Sequence, residues 1–384
     1  MGTRADEDPL PTAVLGIGML GHGFMGKAHV HALRSFSYLA PSQSNAPEPR
    51  LVALGGHDPE RTAAAARRYG FECSTTDWRK LVTDPEIALF DNAGPNDLHA
   101  EPTMAALRAG KHVLCEKPLG RTAAESHAIW SAAEAAGVVH MCGFNYRFVP
   151  AIRLARELIE AGELGEVHRF RAAYLQDWLA DPEAPHGWRL DRDRAGSGAL
   201  GDIGAHAIDL ARFLVGEIAA VDGRVGAIRT VEVDDSVEAT IEFADGPTGS
   251  ISASRLCHGR RNSLTLEVNG TKGSLAFDLE RLNELQLYVA GSGPTERAQG
   301  FRRVLVTDRD HPYLDHWWPP GHTLGWADTF VHELHHLLGA LAGDHEVAPY
   351  GATFEDGYRA AEICDAVLRS SASGAREPVA YRPA

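Results

Sequence analysis

The sequence predicts an α/β protein in two halves: an N-terminal Rossmann-type parallel sheet, then a C-terminal α/β domain around an open, mostly antiparallel sheet. Three observations predict it. Over residues 13–147, short apolar runs alternate with alanine-rich helical patterns, as a parallel sheet with crossover helices does. A glycine loop, Gly21-His22-Gly23-Phe24-Met25-Gly26, stands between the first run and the first helix. Beyond Phe148 the apolar runs follow one another through turns, the habit of antiparallel strands.

In the first half the candidate strands are 14–20, 51–54, 88–93, 112–115 and 138–143, with helices at 25–34, 60–69, 99–109 and 123–136. Residues 35–50 are rich in Pro, Ser and Asn, which favour turns, so a surface loop is expected there. In the second half (148–384), a helix at 150–161 leads into strands at 167–175, 221–227, 236–243, 248–254, 263–268, 273–277 and 284–289. Ala244-Asp245-Gly246 and Asn269-Gly270 read as their hairpin turns. A helix at 201–214 interrupts the strands, and helices at 326–342 and 354–370 close the chain. Residues 1–12 carry acids and prolines without an apolar signal-peptide core, so they are expected to be a disordered lead.

The 384 residues suffice for two domains with full cores. No apolar run nears the ~18 residues of a membrane span, so no membrane partner is expected. A formal charge of −15 without a basic block argues against a nucleic-acid partner, because binding a phosphate backbone needs clustered Lys and Arg. Cys73, Cys115, Cys142, Cys257 and Cys364 are scattered without CxxC spacing. They read as reduced thiols, in keeping with a cytoplasmic protein.

Strand, glycine loop and helix in succession point to a dinucleotide. In Gly21-x-Gly23-x-x-Gly26 the first glycine permits the turn, the second lets a pyrophosphate approach, and the third lets helix pack on strand. The acid that ordinarily binds the adenosine ribose falls on Gly56 of Leu54-Gly55-Gly56-His57-Asp58. Either Asp58 takes its place or Arg61 meets a 2′-phosphate, so both NAD and NADP are open. Lys117 is one of five lysines in the chain and follows the strand at 112–115, at the sheet edge where a nicotinamide belongs. An ammonium there can donate to a substrate hydroxyl; the plain alternative is a surface lysine. Asp202 and His206, spaced i, i+4, would share a helix face and let the carboxylate orient the imidazole; the plain alternative is a core histidine. The glycines at 196, 198, 201 and 204 imply that something approaches this backbone closely.

His332-Glu333-Leu334-His335-His336 matches HExxH, a zinc-ligand pattern. No third ligand or substrate groove accompanies it, and the segment reads as an amphipathic helix, so no metal is expected. Tyr174, Trp178, Trp188, Tyr313, Trp317, Trp318 and Trp326 cluster with Gln176, Asp177 and Asp315. Flat rings suit the C–H faces of sugars while amides and carboxylates take their hydroxyls; core packing accounts for about half of them.

Together these segments resemble the glucose–fructose oxidoreductase/inositol dehydrogenase/rhizopine catabolism (Gfo/Idh/MocA) superfamily along nearly the whole chain. The matching phrases are 21–29, Pro95-Asn96-Asp97-Leu98-His99, Cys115-Glu116-Lys117-Pro118-Leu119, Phe144-Asn145-Tyr146-Arg147, Gly187-Trp188-Arg189 and 198–206. The resemblance implies a homodimer or homotetramer built largely through the second sheet, and Lys117, Asp202 and His206 as the catalytic group. It implies cofactor contacts from Gly21, Gly23, Phe24, Met25, Gly26, Asp58, Pro95, Asn96, His99, Glu116, Lys117, Asn145, Arg147, Trp188 and Arg189. Substrate contacts would come from Lys117, Tyr146, Gln176, Trp178, Asp202 and His206. The 174–178 and 196–202 phrases and the aromatic 311–326 loop look most like the levoglucosan dehydrogenases, which oxidise the 3-hydroxyl of an anhydrosugar with NAD. The chain departs from the pattern at Gly55-Gly56 and across 311–326.

The expectation is an NAD(P)-dependent dehydrogenase of a sugar or polyol. His206 would take the hydroxyl proton, Asp202 orient His206, and Lys117 polarise the same oxygen. An inositol dehydrogenase or a ketosugar reductase is the alternative enzyme, and a non-catalytic dinucleotide-sensing regulator the alternative class. Joint retention of Lys117, Asp202 and His206 speaks against the regulator.

Overall fold

Six of the seven residues of strand β1 (Val14–Leu20) are buried, as in a parallel strand covered by helices on both faces. The computed structural model describes residues 13–40, 44–181, 183, 187–228, 232–292 and 296–384; the expected lead at 1–12 lies outside them. Beside β1 run β2 (Glu48–Gly55) and β3 (Cys73–Thr75), and on its other side β4 (Leu89–Asn92), β5 (His112–Glu116) and β6 (His140–Gly143). All pair in parallel. The crossovers are α1 (Phe24–Leu39), α2 (Pro59–Tyr69), α3 (Arg79–Thr83), α4 (Ala100–Arg108) and α5 (Ala123–Ala136). Strand order 3-2-1-4-5-6 reverses between β1 and β4, and ligands of such sheets bind outside the carboxyl ends at that switch point.

The expected loop at 35–50 is shorter than its composition suggests. Helix α1 continues to Leu39 because Phe36 and Leu39 are buried, and β2 starts at Glu48, whose N–H donates to the Ala13 carbonyl at 2.9 Å. Strand β3, three residues long with none fully buried, carries no periodic signal and was not expected.

In the second half come α6 (Pro150–Glu160), β7 (Val167–Leu175), α7 (Arg192–Ala195) and a π turn (Leu200–Gly204) that runs into α8 (Ala205–Leu214). The strands β8 (Ile218–Gly226), β9 (Ser236–Phe243), β10 (Thr248–Ser254), β11 (Ser263–Gly270), β12 (Gly273–Asp278), β13 (Glu284–Val289) and β14 (Arg302–Leu305) follow. Helices α9 (Asp328–Ala342) and α10 (Phe354–Ser373) and a short β15 (Glu377–Pro378) end the chain. The nine strands form one sheet in the order 14-13-12-11-7-10-9-8-15. Its pairs are antiparallel except β7 with β10. The hairpin expected at Asn269-Gly270 turns two residues later: both residues pair with β7. Gly270 is required there because the Leu164 carbonyl oxygen lies 2.2 Å from where its Cβ would be. Edge strands β14 and β15 are too short to read from the sequence.

Helices α6, α8 and α10 cover one face of this sheet. The other face presents Arg171, Glu238, Ser252, Thr265, Glu267 and Gln286. Helix α9 returns to the first half, where Leu334, Leu337 and Leu338 join Leu33 and Phe36 of α1 in one buried cluster. That return closes a cavity between the two sheets. No described helix is long and apolar enough to cross a membrane.

Candidate active site

The glycine loop has the shape a pyrophosphate needs. Gly21 sits at φ +101°, and a Cβ there would lie 2.5 Å from the Ala93 carbonyl oxygen. Gly26 is held as tightly, its missing Cβ 2.2 Å from the Gly21 oxygen. Gly23, at the N-cap of α1, faces open space with nothing within 4 Å. The first turn of α1 carries no acid, so its free N–H groups and dipole favour an anion. At the end of β2, a Cβ on Gly56 would meet Thr62 Oγ1 at 2.3 Å and the His22 ring at 2.8 Å. The place expected for a ribose-binding acid is filled by Thr62 and His22. Asp58, the expected substitute, accepts from the Arg61 N–H at 2.9 Å and caps α2.

A cavity of about 530 Å³ opens beside the loop. Phe24, Met25, Asn96, Glu116, Lys117, Asn145 and Tyr146 wall it from the first half and its exit, and Gln176, Trp178, Trp188, Arg189, Asp202 and His206 from the second. Phe24 stacks on Trp326 at 5.1 Å across its mouth. Asn145 donates to Thr329 Oγ1 at 2.8 Å and Asn96 to the Ala195 carbonyl at 3.0 Å, so both are fixed by the second half. Lys117, whose peptide to Pro118 is cis, reaches across the cavity. Its Nζ donates to the Asp202 carbonyl at 2.7 Å and lies 3.5 Å from Asp202 Oδ1.

Asp202 was expected to orient His206, but no hydrogen bond joins them among the described residues. Residues 200–204 close as a π turn, with Ala205 N–H reaching the Leu200 oxygen. The extra residue in that turn takes 202 and 206 out of the i, i+4 register of an α-helix. The Asp202 carboxylate instead faces Lys117 Nζ, Arg255 Nη1 at 3.7 Å and Arg189 Nε at 3.9 Å. Burial pushes its pKa up, and the three cations outweigh that and hold it below the ordinary carboxylate value. Different groups approach the glycines: the Arg121 carbonyl oxygen lies 2.5 Å from where a Cβ on Gly196 would be, and Asp234 approaches Gly198. Asp234 accepts from the Gly198 and Leu200 N–H groups, both at 2.7 Å. A Cβ on Gly198 would fall 1.6 Å from the Asp234 carbonyl oxygen.

His206 is buried against Tyr146, with ring centroids 4.5 Å apart. Burial pushes its pKa well down and the Lys117 ammonium pushes the same way, so the imidazole is neutral and able to accept a proton. Beside it runs a polar chain. Tyr146 donates to the Tyr174 hydroxyl at 2.8 Å, and Tyr174 donates to Asn262 Oδ1 at 2.7 Å. Gln176 donates to the same Asn262 oxygen at 2.7 Å, and Trp178 Nε1 to Gln176 Oε1 at 2.9 Å. Asn262 and Arg255 were missed from the sequence. They stand on either side of an irregular connection between β10 and β11, and only the fold brings them to the site.

Other expected residues lie elsewhere. Arg147 does not reach the cavity. It is buried and paired with Asp209 at 2.6 Å and Asp356 at 3.3 Å, which makes it a core cation joining α8 to the start of α10. His99 is buried between the Pro118 carbonyl at 2.7 Å and the Gly94 carbonyl at 3.0 Å; it braces the loops behind the cavity. Pro95 precedes a 3₁₀ turn without lining the cavity. In the HExxH segment, His332 takes a bond from Trp317 Nε1 at 2.8 Å and gives one to the Phe148 carbonyl at 2.9 Å. His336 bonds the Val347 carbonyl at 2.8 Å. Among the described residues no group of three or more His, Cys, Asp or Glu could hold a metal ion.

Residues 15–144 match the oxidoreductase family with an NAD-binding Rossmann fold, and residues 152–276 match the GFO/IDH/MocA C-terminal domain. Levoglucosan dehydrogenase from Pseudarthrobacter phenanthrenivorans is 44% identical, over 93% of this chain and 96% of its own length. Inositol 2-dehydrogenase from Rhizobium meliloti is 28% identical, over 92% and 96%. A solved levoglucosan dehydrogenase in complex with NADH and levoglucosan superposes with a TM-score of 0.91 at 43% identity, covering 95% of this chain and 99% of that one.

Removing the Arg147 cation strands buried Asp209, so Arg147→Met is expected to cost about 3–5 kcal/mol in urea unfolding. Titration of the folded variant with NAD should give wild-type affinity; a lost affinity at intact stability would return Arg147 to the cofactor site. Because the HExxH histidines are committed to Trp317 and to backbone, dialysis against EDTA should leave turnover unchanged. Loss of activity restored by zinc would contradict this assignment.

Proposed function

The chain belongs to the GFO/IDH/MocA oxidoreductase family, and from that membership we propose that it is a sugar dehydrogenase oxidising a ring hydroxyl of a monosaccharide or anhydrosugar to a ketone. Levoglucosan or a close analogue is the proposed substrate. The observation that carries the proposal is a lysine ammonium and a neutral, buried imidazole lining one cavity beside a vacant-sided glycine turn. The glycine loop and the first turn of α1 would hold the pyrophosphate of NAD, with Met25, Asn96 and Asn145 lining the way inward. NAD when bound supplies a hydride acceptor. The Gly56 position, lacking a carboxylate, keeps NADP as the second cofactor to test.

His206 accepts the hydroxyl proton, which its neutral form allows. Lys117 donates to the same oxygen and stabilises the charge that builds there. Asp202 acts on Lys117, through its carbonyl and carboxylate, and leaves the imidazole free. The Tyr174–Asn262–Gln176 chain offers amide and hydroxyl groups to the remaining sugar hydroxyls, and Trp178 and Trp188 offer flat faces. A cytoplasmic homodimer or homotetramer, paired through the open face of the second sheet and without nucleic-acid or membrane partners, goes with this reading.

A panel of anhydrosugars, monosaccharides and inositols, read as NADH or NADPH absorbance, tests the proposal. Turnover with levoglucosan is expected, whereas dinucleotide binding without turnover on any member would favour a sensor. On the best substrate, Lys117→Ala and His206→Ala should each lose ~10²–10⁴-fold in kcat with NAD affinity retained. Near-normal turnover in His206→Ala would remove it as the base.

The depressed imidazole pKa sets the acid limb. His206 stays neutral as pH falls through the ordinary histidine value near 6.5, so kcat/KM should begin to fall only below it. An acid midpoint at or above 6.5 that persists in His206→Ala would identify a different base.

A further inference from the structure

Behind the cavity wall lies a buried ionic cluster that the proton and hydride chemistry does not use. His29, on α1, is fully buried. Its Nδ1 lies 2.9 and 3.1 Å from the two carboxylate oxygens of Asp91, at the end of β4. Its Nε2 lies 3.0 Å from Glu116 Oε1, at the end of β5. A neutral imidazole has one N–H, so a ring bonded to carboxylates through both nitrogens carries both protons. Burial alone would lower the His29 pKa; Asp91 and Glu116 outweigh it and raise the value well above the ordinary one.

Glu116 passes this restraint forward. Its Oε2 accepts from the Lys117 backbone N–H at 3.1 Å, so one carboxylate joins His29 to the peptide that carries the lysine. Gly143 leaves room for it, since a Cβ there would lie 3.1 Å from Glu116 Oε1. Phe330 of α9 closes over the imidazole at 5.6 Å. Glu333, from the HExxH segment, is buried beside the cluster with neither carboxyl oxygen hydrogen-bonded. Burial, with the neighbouring Glu116, Asp91 and Asp209, raises its pKa well above the ordinary carboxyl value against the opposing pull of His29.

We propose that His29 is a positioning residue: as an imidazolium clamped between Asp91 and Glu116, it fixes the Glu116–Lys117 peptide and so aims the Lys117 ammonium across the cavity. Without that cation two buried carboxylates face each other and one must take up a proton. A protonated or displaced Glu116 is a weaker acceptor for the Lys117 N–H. The lysine then loses its aim while every group around the reacting atoms is still present.

The kinetic part of the test rests on the dehydrogenase reading; the spectroscopic part does not. In ¹⁵N-histidine-labelled whole protein at about pH 8, above the ordinary imidazole range, the ring whose signals disappear in His29→Gln should show two protonated nitrogens. A neutral His29 under those conditions overturns the proposal. With the sugar that wild type oxidises, His29→Gln should lower kcat about 10–100-fold, the cost of a small misplacement, while NAD affinity stays near wild type. In a Lys117→Ala background the same substitution should cost no further kcat. An equal loss in both backgrounds would show a merely structural role and overturn the proposal. Should His29→Gln fail to fold, Glu116→Gln, which keeps the side-chain shape, is expected to show the same loss and the same dependence on Lys117; full kcat there overturns the proposal. Absence of turnover with every sugar would sink the dehydrogenase reading, and the ring spectra would still decide whether the clamp exists.

Discussion

A lysine ammonium carried from the end of the first sheet to a carbonyl and a carboxylate of the second half is the contact on which the cavity depends. Lys117 leaves β5 and meets Asp202 in the π turn before α8, 2.7 Å from its carbonyl oxygen. Taking these charges from water is costly, and the contact persists because both partners are held by backbone that cannot easily move. Asp234 clamps the Gly198 and Leu200 amides on one side, and Glu116 holds the Lys117 amide on the other. The ammonium, Arg189 and Arg255 all face the Asp202 carboxylate. Of these cations the ammonium stands beside the imidazole in the cavity, where a preorganised donor favours an oxygen that gains negative charge as its hydrogen leaves.

The residues gathered by motif divide physically into those that touch the cavity and those that hold its walls. Lys117, His206, Trp188 and Arg189 touch it. Arg147 and His99 hold walls: one neutralises Asp209 and Asp356 in the core, the other ties the Gly94 and Pro118 carbonyls. A motif marks both kinds equally, because losing either would spoil the same site. Partners rather than burial separate them, since a guanidinium committed to Asp209, Asp356 and the Gly351 carbonyl has no donor left for a ligand.

Much of this was legible in the sequence, for identifiable reasons. Strands β1, β7, β9, β10 and β13 have the bounds expected of them because period-2 or fully apolar runs are strong signals that end at turns. The 35–50 segment misled because composition describes turn preference, whereas Phe36 and Leu39 are held helical by burial against α9. The pairing of Asp202 with His206 misled because i, i+4 spacing presumes α geometry, and no residue pattern announces a π turn. Asn262 and Arg255 carried no signal at all. Their place depends on the register of β7 with β10 and β11, which is a tertiary fact.

Two histidines show how the same side chain is driven to different protonation states in one protein. His29 and His206 are both buried, and burial disfavours the charged ring in each. At His29 two carboxylates at hydrogen-bond distance reverse that preference. At His206 the Lys117 ammonium reinforces it. The fold therefore places a fixed cation behind Lys117 and a vacant base in front of it. The division follows from what each ring faces: Asp91 and Glu116 at the carboxyl ends of β4 and β5, or the open cavity between the sheets. Exchanging those surroundings would leave a base already protonated and a clamp without charge, with the residue types unaltered.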